Sequence, residues 1–155
     1  MEKRNVIIIY LTALSVLATY LGILYLNYDS IKEIIPTHIN YKGTVDGYDD
    51  KYQLWIAAGV NLLLLLFVGY IVKNPQKANY PFEINESNKK RVYYNTSLIF
   101  AALCIVMTFF FSTMIYNALN YTIIDMIRVN AYIILPPVAV LFLFNLKVAP
   151  KKFIE

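Results

Sequence analysis

Residues 36–51 read PTHINYKGTVDGYDDK, and this polar stretch lies between two long apolar runs. It contains His38, the only histidine of the chain, together with three aspartates, two lysines and two glycines. Loops held by a rigid scaffold carry binding and catalytic residues disproportionately often. This stretch, called the polar loop below, is therefore the first candidate for a functional site.

The composition of the whole chain indicates a membrane protein. Hydrophobic residues make up 59% of the 155 residues and charged residues only 15%, whereas soluble domains average about 45–50% apolar and about 25% charged residues. A soluble fold of this size could not bury so much apolar surface, but a protein whose outer face meets lipid has no need to. The sequence has no basic stripe interleaved with aromatic residues, so we do not expect it to bind nucleic acid. The single cysteine, Cys104, excludes an internal disulfide.

Four apolar segments are long enough to cross a bilayer, which takes roughly 17–25 residues of helix. They lie at about 6–26, 54–72, 92–116 and 129–146. The first is longer than the roughly 7–15 residues of a cleavable signal core, so we expect it to remain as a helix. The predicted fold class is an all-α integral membrane protein. Residues 1–155 would form one domain, a four-transmembrane-helix bundle with connections at 27–53 and 73–91.

Polar and small residues inside the first two segments predict helix packing. Thr12, Ser15, Thr19 and Gly22 fall on one helical face, and small residues on one face let membrane helices approach closely. Asn61 is a polar group within the second segment, so we expect it to face another helix rather than lipid.

Two prolines, Pro136-Pro137, interrupt the fourth segment. Each removes a backbone donor and frees a carbonyl four residues earlier. A kink that improves packing is one interpretation. A cavity lining or a moving gate is the other, because broken helices mark sites in transporters.

The basic residues predict the orientation. Four spans place both termini on one side of the membrane. Ten of the 14 lysines and arginines lie on that side. The opposite side takes four, namely Lys32, Lys42, Lys51 and Arg128. Since short cytoplasmic loops carry the excess of Lys and Arg, both termini are expected in the cytoplasm and the polar loop outside.

Turn and strand propensities predict a small β-hairpin in the polar loop. Thr37–Tyr41 is β-prone, Gly43 permits a tight turn, and Asp46-Gly47 is a strong turn dipeptide. Folding back in this way would bring His38 and Asn40 towards Asp46 and Lys51. The candidate binding residues are Pro36, Thr37, His38, Asn40, Gly43, Asp46, Gly47 and Lys51.

Four kinds of chemistry are open to this loop. It could bind a metal through His38 and aspartates, although the ligands are sparser than in zinc sites. It could hydrolyse a substrate with His38 as base, but no convincing nucleophile accompanies it. It could bind a peptide, a lipid head group or a partner domain, or its polar groups could only satisfy one another. We predict binding, with no catalytic residue, no metal and no cofactor.

The residues also resemble a known family. The pattern Pro36-Thr37-His38-x-Asn40-x-x-Gly43-x-x-Asp46-Gly47, followed by Lys51 and an apolar segment, is similar to the signature of an uncharacterised bacterial membrane domain. That domain also forms the first half of the immunity proteins against the sporulation-delaying toxin. A second polar stretch, containing Asn74-Pro75, Asn79-Tyr80-Pro81 and Asn85–Asn88, resembles a motif after the second span of that family. Ile39 replaces a residue that is usually aromatic there, and the full immunity proteins carry more spans after the shared region.

The resemblance implies a multi-pass protein of the bacterial inner membrane. Our leading hypothesis is a non-enzymatic protein whose outward Pro36–Lys51 loop recognises a peptide, such as a toxin, or a partner subunit of an envelope complex. Its partners would be the lipid bilayer and a protein, with no nucleic acid. A small transporter or channel component using Pro136-Pro137 is an alternative, although no charged residues lie within the spans. A membrane enzyme centred on His38 is another.

Overall fold

The computed structural model describes residues 2–42, 44–120 and 131. Within them the chain forms three long helices joined by two connections. The helices are α1 (Glu2–Asn27), α2 (Gln53–Lys73) and α3 (Lys89–Ala118), and two strands, β1 (Ile34–Ile39) and β2 (Val45–Asp50), pair between α1 and α2. Short 3-10 helices at Tyr28–Ser30 and Pro75–Lys77 follow α1 and α2.

The three helices confirm the first three predicted apolar segments. Each is long and apolar enough to cross a membrane. Three consecutive crossings would place the β1–β2 hairpin and the connection at residues 74–88 on opposite sides. The fourth predicted segment, with Pro136-Pro137, lies outside the described residues.

Helix α3 packs against both α1 and α2. The buried residues of α2 recur every three or four positions, as expected of a helix with one packed face; they are Leu54, Ala58, Asn61, Leu65 and Val68. Small residues dominate the buried face of α3, namely Ser97, Ala101, Cys104, Thr108 and Ser112. Because small side chains let helices approach closely, α3 can contact two neighbours at once.

Among the described residues, only Thr12 of the predicted seam of small residues on α1 is buried. No atom of the described residues lies within 4 Å of the position that a Cβ on Gly22 would take, and Ser15 is exposed in the same part of the chain. The Ser15 hydroxyl donates to the Leu11 carbonyl, and Thr19 donates to Ser15 in the same way. These hydroxyls are satisfied within their own helix and can therefore face lipid. Apolar and aromatic residues form most of the buried face: Ala13, Val16, Leu17, Tyr20 and Leu24.

Two hydrogen bonds fix α1 against α2. The hydroxyl of Tyr20 donates to Oδ1 of Asn61 at 2.7 Å, and both side chains are fully buried. Nearer the other end, the hydroxyl of Tyr10 donates to the Leu65 carbonyl at 2.9 Å. A side chain on Gly69 would overlap the Tyr10 ring, so its absence allows this contact. The prediction that Asn61 faces a helix is confirmed.

Apolar residues attach the hairpin to the helices. Ile31, just before β1, and Ile35, within β1, are each 4% exposed. They belong to the same buried cluster as Leu24, Leu54 and Ile115, which lie near the ends of the three helices. Full burial of an aliphatic side chain stabilises by about 1.5–3 kcal/mol, so the two isoleucines hold the hairpin on the bundle.

Candidate functional site

The polar loop forms an antiparallel hairpin, as the sequence predicts. Pro36 pairs with Tyr48, His38 with Gly47, and Ile39 with Val45, with irregular register on either side of His38. The expected turn at Asp46-Gly47 is wrong, because both residues lie within β2. The chain reverses earlier, where Tyr41 and Lys42 form a turn.

Asn40 organises that reversal. Its Oδ1 accepts hydrogen bonds from the backbone N–H of Lys42 at 2.9 Å and from the backbone N–H of Thr44 at 3.1 Å. The Thr44 hydroxyl donates to the same oxygen at 3.2 Å, and the Asn40 N–H donates to the Thr44 carbonyl at 2.9 Å. An asparagine that bonds the backbone two residues ahead stabilises a turn, which explains this residue type here. Gly43, another candidate, lies outside the described residues.

His38 and Asp46 meet on the exposed surface of the hairpin. Nδ1 of His38 contacts Oδ1 of Asp46, and the two side chains are 68% and 44% exposed. Gly47 makes this approach possible, because a Cβ on it would lie 2.8 Å from the Cβ of His38. The glycine that suggested a turn instead allows two strands to come unusually close.

Lys51 fastens the base of the hairpin and lies away from its exposed surface. Lys51 is only 8% exposed, and its Nζ donates to Oε1 of Glu33 at 2.9 Å. The same ammonium lies 3.4 Å from the carbonyl oxygens of Tyr28 and Ile31. The hydrogen bond with Glu33 raises the pKa of Lys51 above its ordinary value, although desolvation opposes the shift. The positive charge is thus satisfied inside the protein.

The surface that the hairpin presents is aromatic and polar. Tyr41 and Tyr48 are 93% and 65% exposed, and Pro36 and Thr37 are exposed beside them. The two tyrosines are not needed to bury the core, so their rings are available for contact. Tyr48 escaped the sequence-based set of candidates, and its position opposite Pro36 could have been read only from the correct strand register.

Two aspartates link the hairpin to α2. Oδ2 of Asp49 accepts a hydrogen bond from Nε2 of Gln53 at 3.0 Å. Oδ1 of Asp50 accepts from the backbone N–H of Tyr52 at 2.7 Å, just before the helix. These bonds fix the orientation of β2 relative to the bundle.

The His38–Asp46 pair has one catalytic possibility, since a carboxylate can orient an imidazole that acts as a base. Both groups lie on an open strand surface rather than in a cleft. Over residues 2–42 and 44–120, no group of three or more His, Cys, Asp or Glu side chains is placed to bind a metal ion. The contact joins β1 to β2, so the pair can act as a structural clasp that shapes the hairpin.

The second polar stretch folds on itself at the opposite end of the helices. The hydroxyl of Tyr80 donates to the carbonyl of Pro75 at 2.8 Å and lies within hydrogen-bond distance, 3.1 Å, of the hydroxyl of Thr96. Oδ1 of Asn85 accepts from the backbone N–H and the hydroxyl of Ser87, which shapes the entry to α3. These contacts hold the connection against α3.

Comparison with known proteins supports the resemblance in part. A family model described as a domain of unknown function, DUF1648, matches residues 14–62. The matched segment runs from within α1 through the hairpin into α2, so it includes the entire polar loop. No curated protein and no solved structure matches the chain. The similarity to an uncharacterised domain is confirmed, and the relation to the immunity proteins stays a prediction.

Proposed function

We propose that this protein is a non-enzymatic protein of the bacterial inner membrane whose outward hairpin recognises a protein or peptide partner. The observation that carries the proposal is a hairpin fastened at three points that still exposes Tyr41 and Tyr48. Asn40 fixes the turn, His38 and Asp46 meet across the strands, and the hairpin base is anchored through the buried lysine.

A preformed binding surface supports recognition for a thermodynamic reason. Ordering a flexible loop on binding costs about 0.5–1.5 kcal/mol for each immobilised side chain, and a surface that is already ordered avoids much of this cost. Tyrosine is enriched among the residues that dominate binding energy at interfaces. An ordered hairpin with two exposed tyrosines combines both features.

Charge suggests the kind of partner. Between α1 and α2 the chain carries five acidic residues, Asp29, Glu33, Asp46, Asp49 and Asp50, and three basic ones, Lys32, Lys42 and Lys51. The outward region is therefore net acidic by two charges, while the whole chain is net basic at +4. Complementary charge speeds encounter and selects partners, so a basic peptide or a basic surface of an envelope subunit fits best. The resemblance to toxin-immunity proteins supports a peptide toxin as one form of this partner.

The proposal is tested by capture from native membranes. The tagged protein is extracted in mild detergent, and co-purifying proteins are identified and quantified by mass spectrometry. We expect His38→Ala and Asp46→Asn each to reduce capture of a specific partner, because either change releases the clasp. The double variant should lose less than the sum of the two, because residues in contact are coupled by about 0.5–3 kcal/mol.

Glu86→Gln serves as the control. It removes one exposed charge from the other end of the helices, where Glu86 pairs with Lys89, the first residue of α3, and should leave capture unchanged. If His38→Ala and Asp46→Asn insert normally and capture the same partners as the parent, the hairpin is a mere connection and the proposal fails.

A further inference from the structure

An open cleft lies beside the hairpin base, between the end of α1 and the start of α2. It has a volume of about 430 Å³ and is lined by Tyr25, Leu26, Tyr28, Asp29 and Trp55. None of these residues is among the candidate recognition residues of the polar loop. The cleft is therefore a second feature that the proposed function does not use.

Aromatic rings and a carboxylate give the cleft the chemistry of a cation site. The rings of Tyr28 and Trp55 are inclined at 52° with their centroids 5.9 Å apart. Asp29 is exposed, and within residues 2–42 and 44–120 its carboxylate makes no hydrogen bond or close ion pair, although its charge acts on Lys51 from a distance. Ammonium groups bind over aromatic faces within about 6 Å of the ring centroid, and a nearby carboxylate adds a direct charge interaction.

The protein already shows that one of these rings accepts an ammonium. Nζ of Lys51 lies 4.7 Å from the centroid of the Tyr28 ring. The charge of Lys51 is compensated by Glu33 at 2.9 Å, which limits its repulsion of a second cation. Tyr25 and Trp55 carry further aromatic surface that this lysine does not occupy.

The position of the cleft indicates where the cation comes from. The first candidate span ends at Ser30, and Trp55 lies in the first turn of α2, so the cleft is at the predicted membrane–water boundary. Tyrosine and tryptophan gather at the depth of lipid head groups. Leu26 is 80% exposed at the same place and offers an apolar contact for the start of an acyl chain.

We propose that this cleft binds the ammonium head group of a membrane lipid, such as phosphatidylethanolamine. Asp29 contacts the ammonium, and Tyr25 and Trp55 supply the aromatic surface against which it binds. The indole N–H of Trp55 donates no hydrogen bond to any described residue and is a suitable donor for the lipid phosphate. The site holds a lipid next to the hairpin base and is independent of the partner that the hairpin recognises.

The test uses Trp55 as its own reporter, since it is the only tryptophan. The full protein is reconstituted in nanodiscs of phosphatidylglycerol with increasing fractions of phosphatidylethanolamine, and Trp55 emission is recorded. We expect a saturable change in the parent. Asp29→Asn should weaken the apparent affinity roughly three- to tenfold, because a partly exposed charge interaction is lost. Glu86→Gln, which removes the same charge at the other end of the helices, should behave like the parent.

A second readout guards against effects on folding. Circular dichroism should show equal helix content in all variants, and native mass spectrometry after partial delipidation should show less retained phosphatidylethanolamine in Asp29→Asn. Identical emission curves for the parent and Asp29→Asn would overturn the proposal. So would a response to an added lysine-rich peptide with none to phosphatidylethanolamine, which would make the cleft a peptide site.

Discussion

Replacing Gly47 by alanine should loosen the hairpin while leaving the helices intact. The added Cβ would lie 2.8 Å from the Cβ of His38, whereas carbon atoms attract best at about 3.5–4.0 Å. The clashing atom is attached directly to the backbone of β1, so no side-chain rotation relieves the overlap and the strands must separate. Inserting a methyl group into a close-packed position typically costs about 1–3 kcal/mol.

Hydrogen exchange measures this cost where it arises. If the hairpin opens locally, a loss of about 1–3 kcal/mol lowers the protection of its amides by about 5- to 150-fold. Amides in α2 and α3 should keep the protection of the parent. Gly59→Ala is the matched control, because no atom of residues 2–42 and 44–120 lies within 4 Å of its would-be Cβ, and it should leave hairpin exchange unchanged.

The same variant tests whether a partner recognises the shape of the hairpin or only the chemical groups of His38 and Asp46. Gly47→Ala keeps both His38 and Asp46 but forces them apart, so partner capture should fall as it does when either side chain is removed. Unchanged exchange in the hairpin of Gly47→Ala would refute the reasoning that close strand approach shapes this surface.

Three further outcomes are expected. Tyr20→Phe removes the hydrogen bond to Asn61 and should cost about 0.6 kcal/mol, and at most about 1.7, in a denaturant titration of the purified membrane protein; an unchanged midpoint would contradict the role of this bond. Lys51→Met should raise hydrogen exchange in the hairpin, because the base of the hairpin loses its anchor. In the parent, the stabilisation from the pair with Glu33 is fully present below the ordinary pKa of Lys51, 10.5, and is lost as pH rises through the raised pKa. Exchange protection that stays constant across that pH range would be inconsistent with the pair. A single cysteine at Thr44 in an otherwise cysteine-free chain should react with an impermeant reagent in intact cells, and reaction only after the inner membrane is opened would reverse the predicted orientation.

The membrane helices could be predicted closely because lipid imposes a simple rule. A segment must be apolar over about 20 residues to cross, and the predicted span at 54–72 differs from α2 by one residue at each end. The lipid-facing and packed faces were harder to separate. On α1, Ser15 and Thr19 are at least partly exposed among the described residues and donate to carbonyls of their own helix, and periodicity alone does not reveal this.

The hairpin could be predicted as a motif but not as a geometry. Asp46-Gly47 is typical of turns, yet here Gly47 serves the approach of His38 from the opposite strand. The partner of Lys51 could not be predicted either, because Glu33 precedes β1 and meets the lysine only once the strands pair. These contacts depend on register, which is fixed by how Ile35 and its neighbours dock on the helices.

The most direct test of the account is photocrosslinking from Tyr48 in native membranes. A benzophenone amino acid placed there should form a discrete protein adduct, and His38→Ala should reduce its yield strongly because the presenting surface loses its shape. The same probe at Tyr70, an exposed aromatic position near the opposite end of α2, should not form that adduct. The account is contradicted if Tyr48 gives no protein adduct, or if the adduct forms equally well without the imidazole of His38.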